Sequence, residues 1–157
     1  MTISDAESYP WALPRIAAVE PAAAPRSLGA ESSLGFTIGP EASPVEAMEQ
    51  ACAMVALSLP RFLEGVPGAG DVCAAVQAVL TELVDVTARH KAGLDLVGRV
   101  AFDGAHVMVS VGDMDGPLPA PEVEPGLYLV HRVASEVGQY AGDMGGRITW
   151  AAVEVRA

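Results

Sequence analysis

Apolar and polar positions alternate or recur along this chain in a way that marks out its elements. From Leu34 to Ile38, LGFTI places Leu34, Phe36 and Ile38 on one side, the two-residue period of a half-buried strand. ASPVEAMEQACAMVALSL then reads as a helix that opens with a capping box: Ser43 as N-cap, Pro44 at the first helical position and Glu46 three after the cap. After a GVPGAG loop, a second helix is expected from about Asp71 to His90. Val72, Val76, Val79, Leu80, Leu83, Val86 and Thr87 form its apolar stripe. LDLVGRVAFDGAHVMVSVGD predicts two strands turning at Asp103-Gly104, a dipeptide suited to a tight antiparallel hairpin. The Pro- and Gly-rich stretch from Met114 to Gly126 reads as a functional loop or lid. A short helix, about Leu127 to Val137, follows it, and then a last hairpin in which Gly145-Gly146 joins a short strand to RITWAAVEV.

Strand, helix, helix, strand, strand, loop, helix, strand, strand is the order of a two-layer α/β sandwich, a mostly antiparallel mixed sheet with about three helices packed on one face. The chain divides near residue 33. Residues 1–33 hold prolines, an AAAP run and no lasting apolar period, so a flexible or loosely docked Pro/Ala-rich tail is expected before a body at 34–157. Tyr9 and Trp11 stand out in that tail, as a docking motif or as an aromatic pair folding back on the body.

Composition narrows the partners. Nine basic residues against twenty acidic ones give a net charge of −11, which repels phosphate backbones and anionic lipid, so neither nucleic acid nor membrane is expected. No apolar run approaches the ~20 residues that cross a bilayer, and the start MTISDAESYPWALPR carries acids where a signal peptide has basic residues. A cytoplasmic location is the expectation. Cys52 and Cys73, inside helical patterns and without CxxC spacing, read as reduced core thiols and not as a disulfide or a metal site.

The blocks ELVDVTARH, VMVSVGDMDGPLP, PGLYLVHRVASEVG and GGRITWAAVEV, in that order and spacing, resemble the Bergerat-fold (histidine-kinase-like) ATPase superfamily, and within it the small bacterial anti-sigma-factor serine kinases. The resemblance spans about Leu34 to Val155. It implies a role as catalytic base for Glu82, if the protein is active, and places Val86 where the family has a metal-binding Asn. It implies adenine recognition by Asp113, with Gly116 beside it, and a phosphate-wrapping helix start at Gly126 and Leu127.

Several positions depart from the family. The isopropyl group of Val86 offers Mg²⁺ no oxygen. Asp115 and Pro117 replace glycines, Glu124 replaces another, and Pro125 has no N–H to donate. Ile148 stands where the family commonly has Thr, and Thr149, one step later, is expected on the opposite face of its strand. Arg89 is expected to pair with Asp85 at i, i+4, and His90 to lie on the apolar side. No metal site and no cofactor are expected, and the reading is a degenerate, pseudokinase-like regulator. It would act by protein binding, with a sigma factor or an anti-sigma antagonist as partner and a homodimer as assembly. The alternative is an atypical ATP- and Mg²⁺-dependent serine protein kinase.

Overall fold

The computed structural model describes residues 32–142 and 145–155. Their order is β1 (Ser33–Ile38), α1 (Pro44–Phe62), α2 (Ala69–Arg89), β2 (Leu96–Phe102), β3 (His106–Met114), α3 (Gly126–Val133), β4 (Glu136–Ala141) and β5 (Arg147–Glu154). The strands form one five-stranded sheet in the order β1-β2-β3-β5-β4. Every pairing among them is antiparallel, so the sheet has no mixed portion among the described residues. All three helices cover one face, and the α/β sandwich is the architecture that the element order predicts.

Local chemistry sets most boundaries. At the start of α1, Ser43 Oγ accepts from the Glu46 N–H at 3.1 Å while Glu46 Oε1 accepts from the Ser43 N–H at 2.9 Å, the reciprocal cap foreseen, with Pro44 at the head. In the β2–β3 turn, Asp103 Oδ1 accepts from the N–H groups of Ala105 (2.8 Å) and His106 (2.7 Å), and Gly104 supplies the positive φ of 99°. On β1, Phe36 and Ile38 are buried and Leu34 packs beside them, as their alternation requires.

Three boundaries differ from expectation. Ser33 is the first residue of β1 and not the last of a tail; residues 1–31 lie outside the described residues. The loop is shorter than expected at both ends, because Met114 completes β3 and Gly126 opens α3. Helix α3 stops at Val133 and not near Val137. Ala134 turns extended (ψ 145°), Ser135 N–H donates to Ala152 O at 2.8 Å, and pairing with β5 captures the residues that helical periodicity would have continued.

The main core lies between sheet and helices. Val76, Val79, Leu80, Leu83, Val84 and Val86 of α2 pack with Val100, Val107, Val109, Val111, Ala151 and Val153 of the sheet. The expected α2 stripe is nearly all buried, with Val72 at its edge and Val84 added to it. Cys52 and Cys73 are free thiols. Among the described residues, no helix is long and apolar enough to cross a membrane.

Candidate functional site

A shallow depression lies between the C-terminal half of α2 and the start of α3, lined by Glu82, Asp85, Val86, Arg89, Glu124, Gly126 and Leu127. Its volume is about 30 Å³, room for water and far from the several hundred Å³ that enclose a small organic ligand. Helical periodicity brings the α2 residues here, since 82, 85, 86 and 89 are spaced by three and four. The approach of α3 depends on Gly126: a Cβ at that position would fall on the Glu82 carboxyl. Glu82 thus stands against the head of α3.

The charges are arranged around Arg89. Its Nη2 donates to Glu124 Oε1 at 2.6 Å and to Asp85 Oδ2 at 2.9 Å, and its Nη1 donates to Glu124 Oε2 at 2.9 Å. His90 Nε2 lies 3.3 Å from Glu124 Oε2. These bonds from Arg89, with a smaller contribution from His90, hold the Glu124 carboxyl down at about 2 and outweigh its partial burial. The same carboxylates push the Arg89 guanidinium further up. Glu82 moves the other way, raised first by burial and then by the neighbouring Asp85 charge, with Arg89 opposing. One carboxylate of the site is therefore firmly ionised and another is biased toward its protonated form.

The loop 115–125 is fastened at several points. Asp115 N–H donates to His90 O (2.9 Å), Leu118 N–H to Gln139 Oε1 (3.1 Å), and Glu124 reaches back to Arg89. At the head of α3, Leu127 N–H donates to Glu124 O at 2.9 Å and Tyr128 N–H to Pro125 O at 3.0 Å. Two amides that a helix start would ordinarily leave free for an anion are already satisfied.

Of the residues singled out in the sequence, Glu82, Gly126 and Leu127 meet at this depression, together with Val86, which is only 2% exposed. Asp113 and Gly116 do not line it. The Asp113 carboxyl instead packs on the β4–β5 turn, where a Cβ on Gly142 would come 3.1 Å from Oδ1 and one on Gly146 would be 2.8 Å from Cγ. Gly116 O accepts from Gln139 Nε2 at 3.4 Å. Gln139 Nε2 also donates to Thr149 Oγ1 at 3.0 Å, and Thr149 is fully buried.

Thr149 lies on the face opposite to Ile148, as the strand period requires. On β5 the residues that join the helix-side core are Ala151 and Val153, so Thr149 shares their face, while Ile148 and Trp150 point to the other. Of the two, it is Thr149 that looks inward under the helices. The expectation for His90 is corrected, since it caps α2 with its side chain 38% exposed and is not on the apolar side.

Glu124 and Asp85 were the residues missed as parts of one site. The Arg89–Asp85 pair is visible in the i, i+4 spacing, but no local pattern announces a partner 35 residues away. Among the described residues, no group of three or more His, Cys, Asp or Glu is disposed to hold a metal ion. The chain matches no protein-family model, and a search of curated proteins found no match.

Proposed function

We propose that this chain is a regulatory protein that works by binding another protein, built like an anti-sigma-factor serine kinase whose nucleotide site has closed. It acts in the cytoplasm in bacterial transcriptional or stress signalling, with a sigma factor or an anti-sigma antagonist as partner. The observation that carries this reading is the Arg89–Glu124 pair, which fastens the loop before α3 across the place where the resemblance puts the nucleotide. Val86 brings no ligand oxygen to that place, and the amides of Leu127 and Tyr128 are already bonded. The residues present do not suit Mg-ATP.

Calorimetric titration of the full chain with ATP, with and without Mg²⁺, tests the closed site. No saturable heat is expected, and micromolar binding strengthened by Mg²⁺ overturns the reading. Affinity purification from the native cell, followed by reconstitution with the purified partner, tests the rest. A partner outside transcriptional control would remove the sigma-factor assignment, and a nucleic acid would remove the reading altogether.

One observation favours a second reading, an atypical ATP-dependent serine kinase: the raised Glu82 carboxyl, positioned against Gly126 as a proton acceptor beside a phosphate would be. Phosphate transfer to a copurified protein, abolished by Glu82→Gln, would establish that activity in its place.

A further inference from the structure

Of the two edges of the sheet, β1 is the barer. Its sequence, SLGFTI, holds no charged residue and no proline, and it pairs with β2 in unbroken register from Ser33–Ala101 to Ile38–Leu96. Edge strands of soluble proteins ordinarily carry a charge, a proline or a bulge that discourages further pairing. The opposite edge, β4, begins with Glu136, whereas β1 has none of these devices. Among the described residues, no strand pairs with the outer side of β1.

Two hydrogen bonds fix which backbone groups face outward. Phe102 N–H donates to Ser32 O at 2.8 Å, and on the other side of β2 Asp103 N–H donates to His106 O at 3.1 Å. In an antiparallel ladder, consecutive residues turn their N–H and C=O groups to opposite sides. Leu34, Phe36 and Ile38 therefore bond toward β2, as Ser32 does, and Ser33, Gly35 and Thr37 present their N–H and C=O groups outward.

We propose that this edge pairs with the same edge of a second copy, about a two-fold axis perpendicular to the sheet at Gly35. The register that uses all three outward residues sets Gly35 against its own copy and Ser33 against Thr37, for about six backbone hydrogen bonds, two to each bonded pair. In that register Leu34 meets Phe36 on the helical face, and the Ser33 and Thr37 hydroxyls meet on the other.

The helical layer fits the same axis. Helix α1 packs on β1 and against α2, with Cys52 turned to Gln77 and Thr81 of α2. Met54, Leu57 and Arg61 stand roughly 140–200° around the helix from Cys52, at about 100° per residue, and so look away from α2. Leu57 is 79% exposed, and among the described residues Arg61 makes no ion pair. The two-fold brings this flank beside its copy with the helices antiparallel, so each Arg61 lies toward Glu41 and Glu46 at the start of the other α1. A strand edge alone is narrower than the roughly 800 Å² per partner of a stable interface. Helix α1, about 28 Å long, supplies the added breadth. A strand from an unrelated protein is the rival occupant, but it has no reason to match both this register and this placement of charge. The interface is independent of the nucleotide-site reading.

The test uses the full-length chain. Sedimentation at tens of micromolar should find a dimer, and the amides of Gly35 and Thr37 should exchange slowly there and quickly on dilution, while those of Leu34 and Phe36 stay protected throughout. Leu57→Arg, a change at an exposed position, and Thr37→Pro, which removes an outward N–H without touching the bonds to β2, should each weaken the dimer at least about tenfold, or ~1.4 kcal/mol. A monomer at that concentration overturns the proposal, as does a dimer that neither substitution weakens. Protection of Gly35 and Thr37 that ignores dilution overturns it too, by assigning the edge to the same chain.

Discussion

Replacing Glu124 with Gln removes the charge that fastens the loop to α2 and keeps the shape of the side chain. The pair it breaks is bidentate, with distances of 2.6 and 2.9 Å, but the Arg89 side chain is 39% exposed, so solvent screens it. The loss is therefore about 1 kcal/mol, the upper end for an ion pair at a surface, and corresponds to roughly a fivefold rise in the population of the released loop. Hydrogen exchange followed by mass spectrometry near neutral pH reads this as faster exchange at Leu118, Val123 and Glu124 with the helices unchanged. The acid profile supplies the sign. Glu124 has its carboxyl lowered to about 2, so its stabilising contribution is complete above the ordinary Glu value of ~4.3 and is lost as pH falls from there through about 2. Native protein should loosen its loop across that interval, and Glu124→Gln should show no such step. Identical exchange in both proteins at neutral pH, or identical acid profiles, would mean that Leu118 and the backbone bonds hold the loop without the ion pair.

Glu82 predicts the opposite slope. Its carboxyl is raised in the folded protein, so stability falls as pH climbs from the ordinary Glu value through the raised one. Glu82→Gln should therefore melt higher than native protein near neutrality, with the gap closing toward pH ~4 in thermal melts. Gly126→Ala places a methyl on the Glu82 carboxyl and should cost ~1 kcal/mol in urea unfolding, a cost largely removed when Glu82 is also Ala, because the obstructing atoms belong to a side chain that can be taken away. Sedimentation at tens of micromolar, an ordinary range for such assays, should find a dimer. With a net charge of −11, association with the purified partner should slow as salt is raised, and a salt-independent on-rate would remove the electrostatic contribution.

What the sequence revealed and what it hid divide along physical lines. The α1 start was legible because a capping box is a contact between residues three apart, and Ser43, Pro44 and Glu46 settle it locally. The α2 stripe was legible because burial on one side imposes its period on seven or more residues. The end of α3 was not, because VASEVG is as compatible with a helix as with a strand until β5 is there to pair with it. That Ile148 and Thr149 face opposite ways was legible from the strand period, but which of them lies under the helices was not, because that depends on which face the helices cover. The Arg89–Glu124 bond was beyond reach of any local rule, since it joins the end of one helix to the start of another across two strands.

That long-range bond also explains how so acidic a depression is tolerated. Glu82, Asp85 and Glu124 all border it, and three ionised carboxylates in a partly buried space repel one another unless a cation is shared among them. Among the described residues Arg89 is the one cation lining the depression, and its planar fork serves two of the three at once, bonding Asp85 along its own helix and Glu124 across the loop. Glu82 receives no hydrogen bond from the guanidinium, and burial, then the neighbouring Asp85 charge, raise its carboxyl against the opposing pull of Arg89. Arg89 thus bears on both the loop, through Glu124, and Glu82, whose carboxyl it pulls down against burial. A lysine at position 89 would keep the charge but lose the planar fork that meets both oxygens of Glu124 while holding Asp85.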